Sequence, residues 1–327
     1  MTADPVSADP VSADPVLAEV VRSGFVESVH RGRVVAIATD GSVAFAAGDV
    51  DAPFFGRSSV KPLQATGMVR AGLPLTGELL ALGAASHSGE PFHVEGARRI
   101  LTGAGLDETA LGCPPDLPLD EAARIDWIRD GHGRERIAMN CSGKHSAMLA
   151  TCVAAGWPTA GYLDPGHPLQ QALAATVAEL AGGVPVTGVD GCGAPIFGTS
   201  LLGLATAGRA LVTGGAGAAG AAVATAYREF PEWTSGTRRP EAALMRAVPG
   251  LMVKAGAEGV QLAVTGDGAA VAVKVDDGAG RASVPVLVAA LRRLGVTLPD
   301  ELGPVVDAPV LGGGRPVGAI RVPDGAL

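Results

Sequence analysis

The sequence predicts an α+β fold, one antiparallel sheet flanked by helices, and three observations predict it. Two clear hairpin signals lie far apart in the chain, one at Asp40-Gly41 and one at Gly266-Asp267-Gly268. Between them the apolar residues recur at helical spacing. After residue 17 no linker divides the chain, so residues 18–327 are expected to form a single catalytic domain.

Each element follows in order. Residues 3–16 read Ala-Asp-Pro-Val-Ser twice and then Ala-Asp-Pro-Val. Such a repeat cannot bury a face, so residues 1–17 are expected to be a disordered tail. Residues 25–30 read as a strand that reaches the first hairpin through an Arg31-Gly32 turn. In that hairpin Val35 and Ile37 precede the turn, and Val43 and Phe45 follow it. Glu90-Pro91 opens a helix that runs through Leu101, since Pro is tolerated at a first helical position. Residues 119–128, 143–155 and 168–180 continue the helical pattern. Residues 259–264 and 269–275 flank the second hairpin, and residues 286–294 read as a helix packed on it. Strands at both ends with helices between imply one sheet to which both ends contribute.

Composition excludes several function classes. Of 327 residues 47% are apolar, enough for a core, but only 4% are aromatic, so small aliphatic side chains must pack it. The net charge is -8 and no basic stripe is present, which argues against a nucleic-acid partner. The start of the chain is acidic and Pro-rich, unlike a signal peptide. Residues 210–226 are rich in Ala and Gly and read as a packing segment, not a membrane span. Four cysteines, Cys113, Cys141, Cys152 and Cys192, are too few for a disulfide scaffold, so reduced thiols in the cytoplasm are expected. A homodimer is compatible with the sequence.

Lysine is scarce. Of 25 basic residues only Lys61, Lys144, Lys254 and Lys274 are Lys. Where Arg serves for generic charge, the remaining lysines are weighted toward tasks that need a neutral amine, because Arg stays protonated.

Four constellations could carry chemistry. In Arg57-Ser58-Ser59-Val60-Lys61-Pro62, Pro62 belongs in a first helical turn. That puts Ser58 at or near a helix N-terminus, with Lys61 one turn on and facing it. The helix end favours negative charge there, and a neutral Lys can take the hydroxyl proton. The plain alternative is a capping Ser beside a solvated Lys. In Ser86-His87-Ser88, Ser88 is placed to cap the next helix and His87 reads as a polar turn residue, while Ser86 has no structural task. Val253-Lys254-Ala255-Gly256 puts a Lys before two small residues on a strand. Finally, Asn140-Cys141-Ser142-Gly143-Lys144-His145 and Asp190-Gly191-Cys192-Gly193 supply two thiols, with Lys144 or His145 as a third donor for zinc. Buried, inert cysteines are the alternative.

The order Ser-x-x-Lys, Ser-x-Ser, Lys-Ala-Gly is similar to that of serine β-lactamases and penicillin-binding proteins. As a set, these motifs, with Glu27-x-x-His30-Arg31-Gly32 and Val273-Lys274-Val275-Asp276-Asp277-Gly278, resemble the rhizobial-type L-asparaginase family. The resemblance implies a serine-β-lactamase-like fold and hydrolysis of L-asparagine to L-aspartate and ammonia. It implies Ser58 as nucleophile with Lys61 as its base, and Ser86 with Lys254 as a second Ser–Lys pair. It further implies that Cys141, Lys144 and Cys192 hold Zn2+, and that Arg57, His145 and Asp190 bind the substrate. Two other readings stay open. One is a glutaminase or another β-lactamase-like amide hydrolase; the other is a non-catalytic protein that binds a metal or an amino acid.

Overall fold

The computed structural model describes residues 14–183 and 186–327. In chain order its strands are β1 (Val16–Arg22), β2 (Phe25–Ile37), β3 (Val43–Ala47), β4 (Phe54–Phe55), β5 (Thr187–Val189), β6 (Pro195–Thr199), β7 (Met252–Gly256), β8 (Val260–Val264), β9 (Ala270–Val275), β10 (Pro309–Gly312) and β11 (Arg315–Arg321). The helices are α1 (Lys61–Arg70), α2 (Gly77–Gly83), α3 (Pro91–Gly103), α4 (Glu121–Arg129), α5 (Ser142–Ala154), α6 (Pro168–Ala181), α7 (Leu201–Thr213) and α8 (Gly217–Glu229), then α9 (Pro231–Thr234), α10 (Pro240–Ala247), α11 (Gly280–Arg293) and α12 (Gly303–Val306).

The main sheet is antiparallel in the order β10-β11-β1-β2-β9-β8-β7, with β3 also on β2. Both ends of the chain meet in it, since Glu19 opposes Arg321 and Val20 opposes Ile320. The expected hairpins form. Asp40 Oδ1 accepts from Ser42 N, and Thr265 N donates to the Ala269 carbonyl across the second turn. Strand β8 is buried on both faces. Leu262 and Val264 pack against Gly208 of α7, whereas Gln261, pointing the other way, donates to Ser283 of α11. The sheet is therefore flanked by helices, as expected, and its core lies in two layers. No single helix among the described residues is long and apolar enough to cross a membrane; residues 210–226 fall across α7 and α8, which meet at 92°.

Three expectations are corrected. Arg31-Gly32 is not a turn: β2 runs through it, and Gly32 opposes Val275. A Cβ at Gly32 would lie 2.2 Å from the Lys274 carbonyl, so the glycine serves close strand approach rather than a bend. Residues 1–13 of the expected tail lie outside the described residues, but its last residues are structured. Asp14 is buried against Arg33, the Pro15 carbonyl accepts from Gly32 N, and Val16 opens β1. The helix read as 286–294, α11, begins at Gly280, six residues earlier, with Pro285 inside it.

A small second sheet, β4-β6-β5, has no counterpart in the sequence reading. Phe54 opposes Thr199 and Phe55 opposes Gly198, so the chain leaving β4 runs back along β6 toward the 190–194 turn. This brings Arg57 to Asp190.

Candidate active site

Ser58 sits in a 3₁₀ turn, Arg57–Val60, that leads directly into α1 with Pro62 in its first turn. Ser58 is half-buried; its neighbour Ser59 is buried and donates to the Gly56 carbonyl. Arg57 has φ 50, a left-handed conformation that costs a non-glycine residue of order 1–3 kcal/mol. β7 packs on this turn because Gly256 has no side chain: a Cβ there would lie 2.8 Å from the Gly56 carbonyl. Lys254, two residues back, projects from the same face of β7.

Lys61 is buried, and its Nζ donates to the Ala85 carbonyl at 2.7 Å, Ser86 Oγ at 2.8 Å and Cys141 Sγ at 3.0 Å. This departs from the expected pairing. Among the described residues no hydrogen bond joins Lys61 to Ser58, and Ser86 is bonded to Lys61 rather than to Lys254. A four-carbon stem ends where acceptors lie, and the three acceptors sit on neighbouring segments rather than on Lys61's own turn. The Ser86 segment is held in place by its backbone. Ser86, His87 and Ser88 N–H groups donate to the carbonyls of Thr234, Asn140 and Ser235, and Tyr227 Oη donates to the Ala84 carbonyl.

Lys254 Nζ is also buried but donates only to the Ala255 carbonyl, at 2.6 Å, among the described residues. Burial, and then the positive charge of Lys61, push its pKa well below the ordinary lysine value. His87 and Ser88 differ from their readings. His87 is buried, with Nε2 2.9 Å from Ser142 Oγ and Nδ1 accepting from Gly89 N, so it ties the Ser86 segment to α5. Ser88 caps nothing: α3 begins after Glu90 without a side-chain cap, and Ser88 Oγ is buried and unpartnered among the described residues.

The Cys141 end of α5 approaches α2 closely because residue 143 is glycine; a Cβ would lie 2.6 Å from Leu82. Lys144 Nζ is 3.3 Å from Cys192 Sγ. Cys141 and Cys192 titrate against one another: Cys141 is held well below the ordinary thiol value and Cys192 is raised. Burial opposes the charge on Lys144, but Cys192, Cys141 and Asp190 together outweigh it and raise its pKa. Among the described residues no group of three or more His, Cys, Asp or Glu gathers as a metal site, so a cation on the two sulfurs would need Lys144 as its third donor. His145 lies beside Cys192, and its Nδ1 is 2.7 Å from Tyr162 Oη.

At the outer side, Arg57 Nε donates to Asp190 Oδ1 at 2.8 Å, and its other arm lies 3.6 Å from the exposed Glu258. Burial would raise the Asp190 carboxyl, but Lys144 and Arg57 outweigh it and hold it below the usual range. Lys274, read as solvent-facing, is half-buried and donates to the Glu258 and Val275 carbonyls. The fold thus draws Arg57, Ser58, Lys61, Ser86, Cys141, Lys144, His145, Asp190, Cys192 and Lys254 into one region. The sequence reading missed Tyr162, Tyr227 and Glu258. The chain holds only two tyrosines, and both bury their hydroxyls on segments of this region, so their scarcity was the available signal.

The family model of L-asparaginase II matches residues 18–322. No curated protein sequence matches the chain. Among solved structures it is similar to a β-lactamase from Mycobacterium bovis, at 16% identity and TM-score 0.46, covering 80% of this chain and 94% of that one. It is similar to a Bacillus glutaminase, at 13% identity and TM-score 0.41, covering 81% and 91%. A third similar structure, Mglu in its native form, has 14% identity and TM-score 0.43; the match covers 80% of this chain and 64% of Mglu, less than two thirds of its length.

Proposed function

The chain belongs to the L-asparaginase II family, and on that premise we propose that it hydrolyses L-asparagine to L-aspartate and ammonia, with Ser58 as nucleophile. The family makes it an amidohydrolase acting on a small molecule. The observation that carries the finer reading is the pair of buried lysines beside the Ser58 turn. Lys61 uses its three donors on three acceptors, while Lys254 is left with one and is driven toward the neutral amine. Lys254 is then the better base for Ser58, and Lys61 with Ser86 forms a relay.

In this reading Ser58 Oγ attacks the side-chain carbonyl and its proton passes to Lys254. The C–N bond breaks as the Lys61–Ser86 relay gives a proton to the leaving nitrogen, which departs as ammonia. Water then attacks the acyl carbon and gives a proton to the Lys61–Ser86 relay, which had lost one. The C–Oγ bond breaks as Lys254 returns its proton to Ser58 Oγ, and aspartate leaves. In this reading Arg57 binds the α-carboxylate and Asp190 the α-ammonium, as complementary charges.

Zinc fits this region through its donor set. Lys144 lies 3.3 Å from Cys192 Sγ beside the low-pKa Cys141, so Cys141, Cys192 and Lys144, once its amine had given up the proton it holds without the metal, would hold it. When bound, zinc supplies a fixed positive charge that holds both sulfurs as thiolates. The four buried, unpaired cysteines suit a reducing compartment, and we assign the protein to the cytoplasm on that ground.

The test is ammonia release from L-asparagine and from L-glutamine, each with and without a chelator. Faster release from asparagine is expected. Faster release from glutamine would replace the substrate; release from neither would end the hydrolase reading. A chelator is expected to raise KM more than it lowers kcat. No change on chelation, with no zinc by elemental analysis, would remove the cofactor.

A further inference from the structure

We infer that Tyr162 is a positioning residue that fixes the His145 ring with its proton on Nε2, so that His145 offers an N–H donor beside Cys192 rather than a lone pair to a cation. The argument is one of donors and acceptors. Gly112 N lies 2.8 Å from Tyr162 Oη, and an amide N–H can only donate. That bond occupies one lone pair of the hydroxyl. Residue 112 must be small for it to form, since a Cβ there would lie 2.8 Å from Leu163 and 3.1 Å from the hydroxyl itself.

Tyr162 is buried, and burial raises its phenol well above the ordinary value, so the O–H proton stays and must be placed. Its acceptor is His145 Nδ1 at 2.7 Å, with the two rings edge to face. The reverse assignment, Nδ1–H to oxygen, would leave a buried O–H without an acceptor among the described residues, a substantial penalty. With Nδ1 accepting, the ring is neutral and its proton sits on Nε2. That atom is buried and has no hydrogen-bond partner among the described residues, in a ring that lies beside Cys192.

The consequence separates His145 from the metal donors. A nitrogen that carries a proton has no lone pair to give, so His145 supports the Cys192 sulfur, or a substrate oxygen, from outside the donor set. This consequence for catalysis rests on the amidase reading; the tautomer itself does not.

The test is nitrogen-15 NMR of the imidazoles in the full chain without substrate, with the His145 signals assigned by their loss in His145→Gln. The wild type is expected to show a protonated Nε2 and a bare Nδ1. In Tyr162→Phe the ratio of the two tautomers is expected to fall about tenfold, as befits one buried hydrogen bond. A wild-type ring with its proton on Nδ1 would overturn the inference, whether or not the variant folds. So would a folded Tyr162→Phe protein that keeps the wild-type ratio. Because no turnover is read, failure here and failure of the amidase reading are told apart.

Discussion

Lys61 and Lys254 are the same residue type, both buried, in one site, yet they are satisfied in opposite ways. Lys61 lies at the start of α1 and meets a carbonyl, a hydroxyl and a sulfur. Lys254 lies on β7, the edge strand paired with β8 alone, and reaches only the carbonyl of the next residue. Among the described residues the start of α1 gathers acceptors from two other segments around Lys61, and β7 gathers none around Lys254. The difference teaches that position in the fold, not residue type, decides which amine loses its proton. An amine without acceptors beside another cation is the cheaper one to neutralise.

The largest expected effect concerns Ser58 and Ser86, the serines proposed to work with these lysines. Ser58→Ala should cut turnover by about 10⁴-fold or more, as loss of a nucleophile does. Ser86→Ala should cost less, about 10²-fold, since a relay is replaced more easily by water. Steady-state rates on folded proteins decide it. If Ser86→Ala is the deeper loss, the nucleophile is on the Lys61 side and the comparison above is inverted.

The lysines themselves give an opposition in sign. Lys254→Met and Lys61→Met should each lower turnover by about 10²–10⁴-fold. Their melting temperatures should move apart. Lys61→Met strands three acceptors and should destabilise by a few kcal/mol, on the order of 1–3 per unsatisfied group. Lys254→Met removes an amine whose charge is penalised by burial and should stabilise. The pH dependence follows from the depressed Lys254 pKa. Between its folded value and the unfolded value of about 10.4, the unfolded chain binds a proton that the folded chain does not. Wild-type stability therefore rises with pH across that window, and the advantage of Lys254→Met is largest on its acid side and fades toward the alkaline end. Shifts of the same sign for both variants would show that the two amines are not differently solvated.

Much of the fold is legible in the sequence where local chemistry is decisive. Asp40-Gly41 and Gly266-Asp267-Gly268 announce their hairpins, and Pro91 and Pro168 mark helix starts that the structure keeps. Arg31-Gly32 is misread because a glycine that admits a neighbouring strand looks, in sequence, like one that turns. The small sheet is missed because β4 has two residues and β5 three, too short for alternation to register. For the site, scarcity of Lys points at residues that the fold does bring together, and the same weighting of the two tyrosines would have reached Tyr162 and Tyr227. What spacing does not carry is the far end of a long side chain. Ser58 and Lys61 are one turn apart in sequence, but the amine bonds across to Ser86.

A third buried cation extends the comparison to stability alone. Arg33 donates to the Asp49 and Ala52 carbonyls and faces Asp14, 3.6 Å away, both side chains nearly closed to solvent. Read as a repeat, residues 1–16 can be deleted without effect. The structure predicts otherwise, because the deletion takes the buried Asp14 from beside Arg33 and removes the Pro15 carbonyl from Gly32. Breaking such a pair costs about 3 kcal/mol, which in a chain of this size is roughly 4 °C in Tm. Turnover per folded molecule should hold. An unchanged Tm on deletion would mean that the Asp49 and Ala52 carbonyls suffice for Arg33, which is then satisfied in the manner of Lys61.

The smallest effect is expected at Lys274, and it tests how far scarcity marks chemistry. Three of the four lysines lie in the candidate site; Lys274 lies behind it on β9. Its amine donates to the carbonyl of Glu258, whose side chain in turn lies near Arg57. Glu258 needs holding, since it adopts φ 61, a conformation that glycine takes freely and glutamate does not. Lys274 therefore acts on the turn between β7 and β8, and only through it on Arg57. A guanidinium can donate to two carbonyls as well as an ammonium can. Lys274→Arg should keep turnover within about twofold, whereas Lys274→Ala should raise KM by a few fold with kcat nearly unchanged, the pattern of lost uniform binding. Burial lowers the Lys274 pKa as it lowers that of Lys254, so direction of shift alone does not separate them. Substitution by Arg does: a proton carrier cannot tolerate it and a carbonyl clamp can. If Lys274→Arg were as inactive as Lys254→Arg, the amine on β9 would belong to the chemistry, and the line drawn here between the two strands would be in the wrong place.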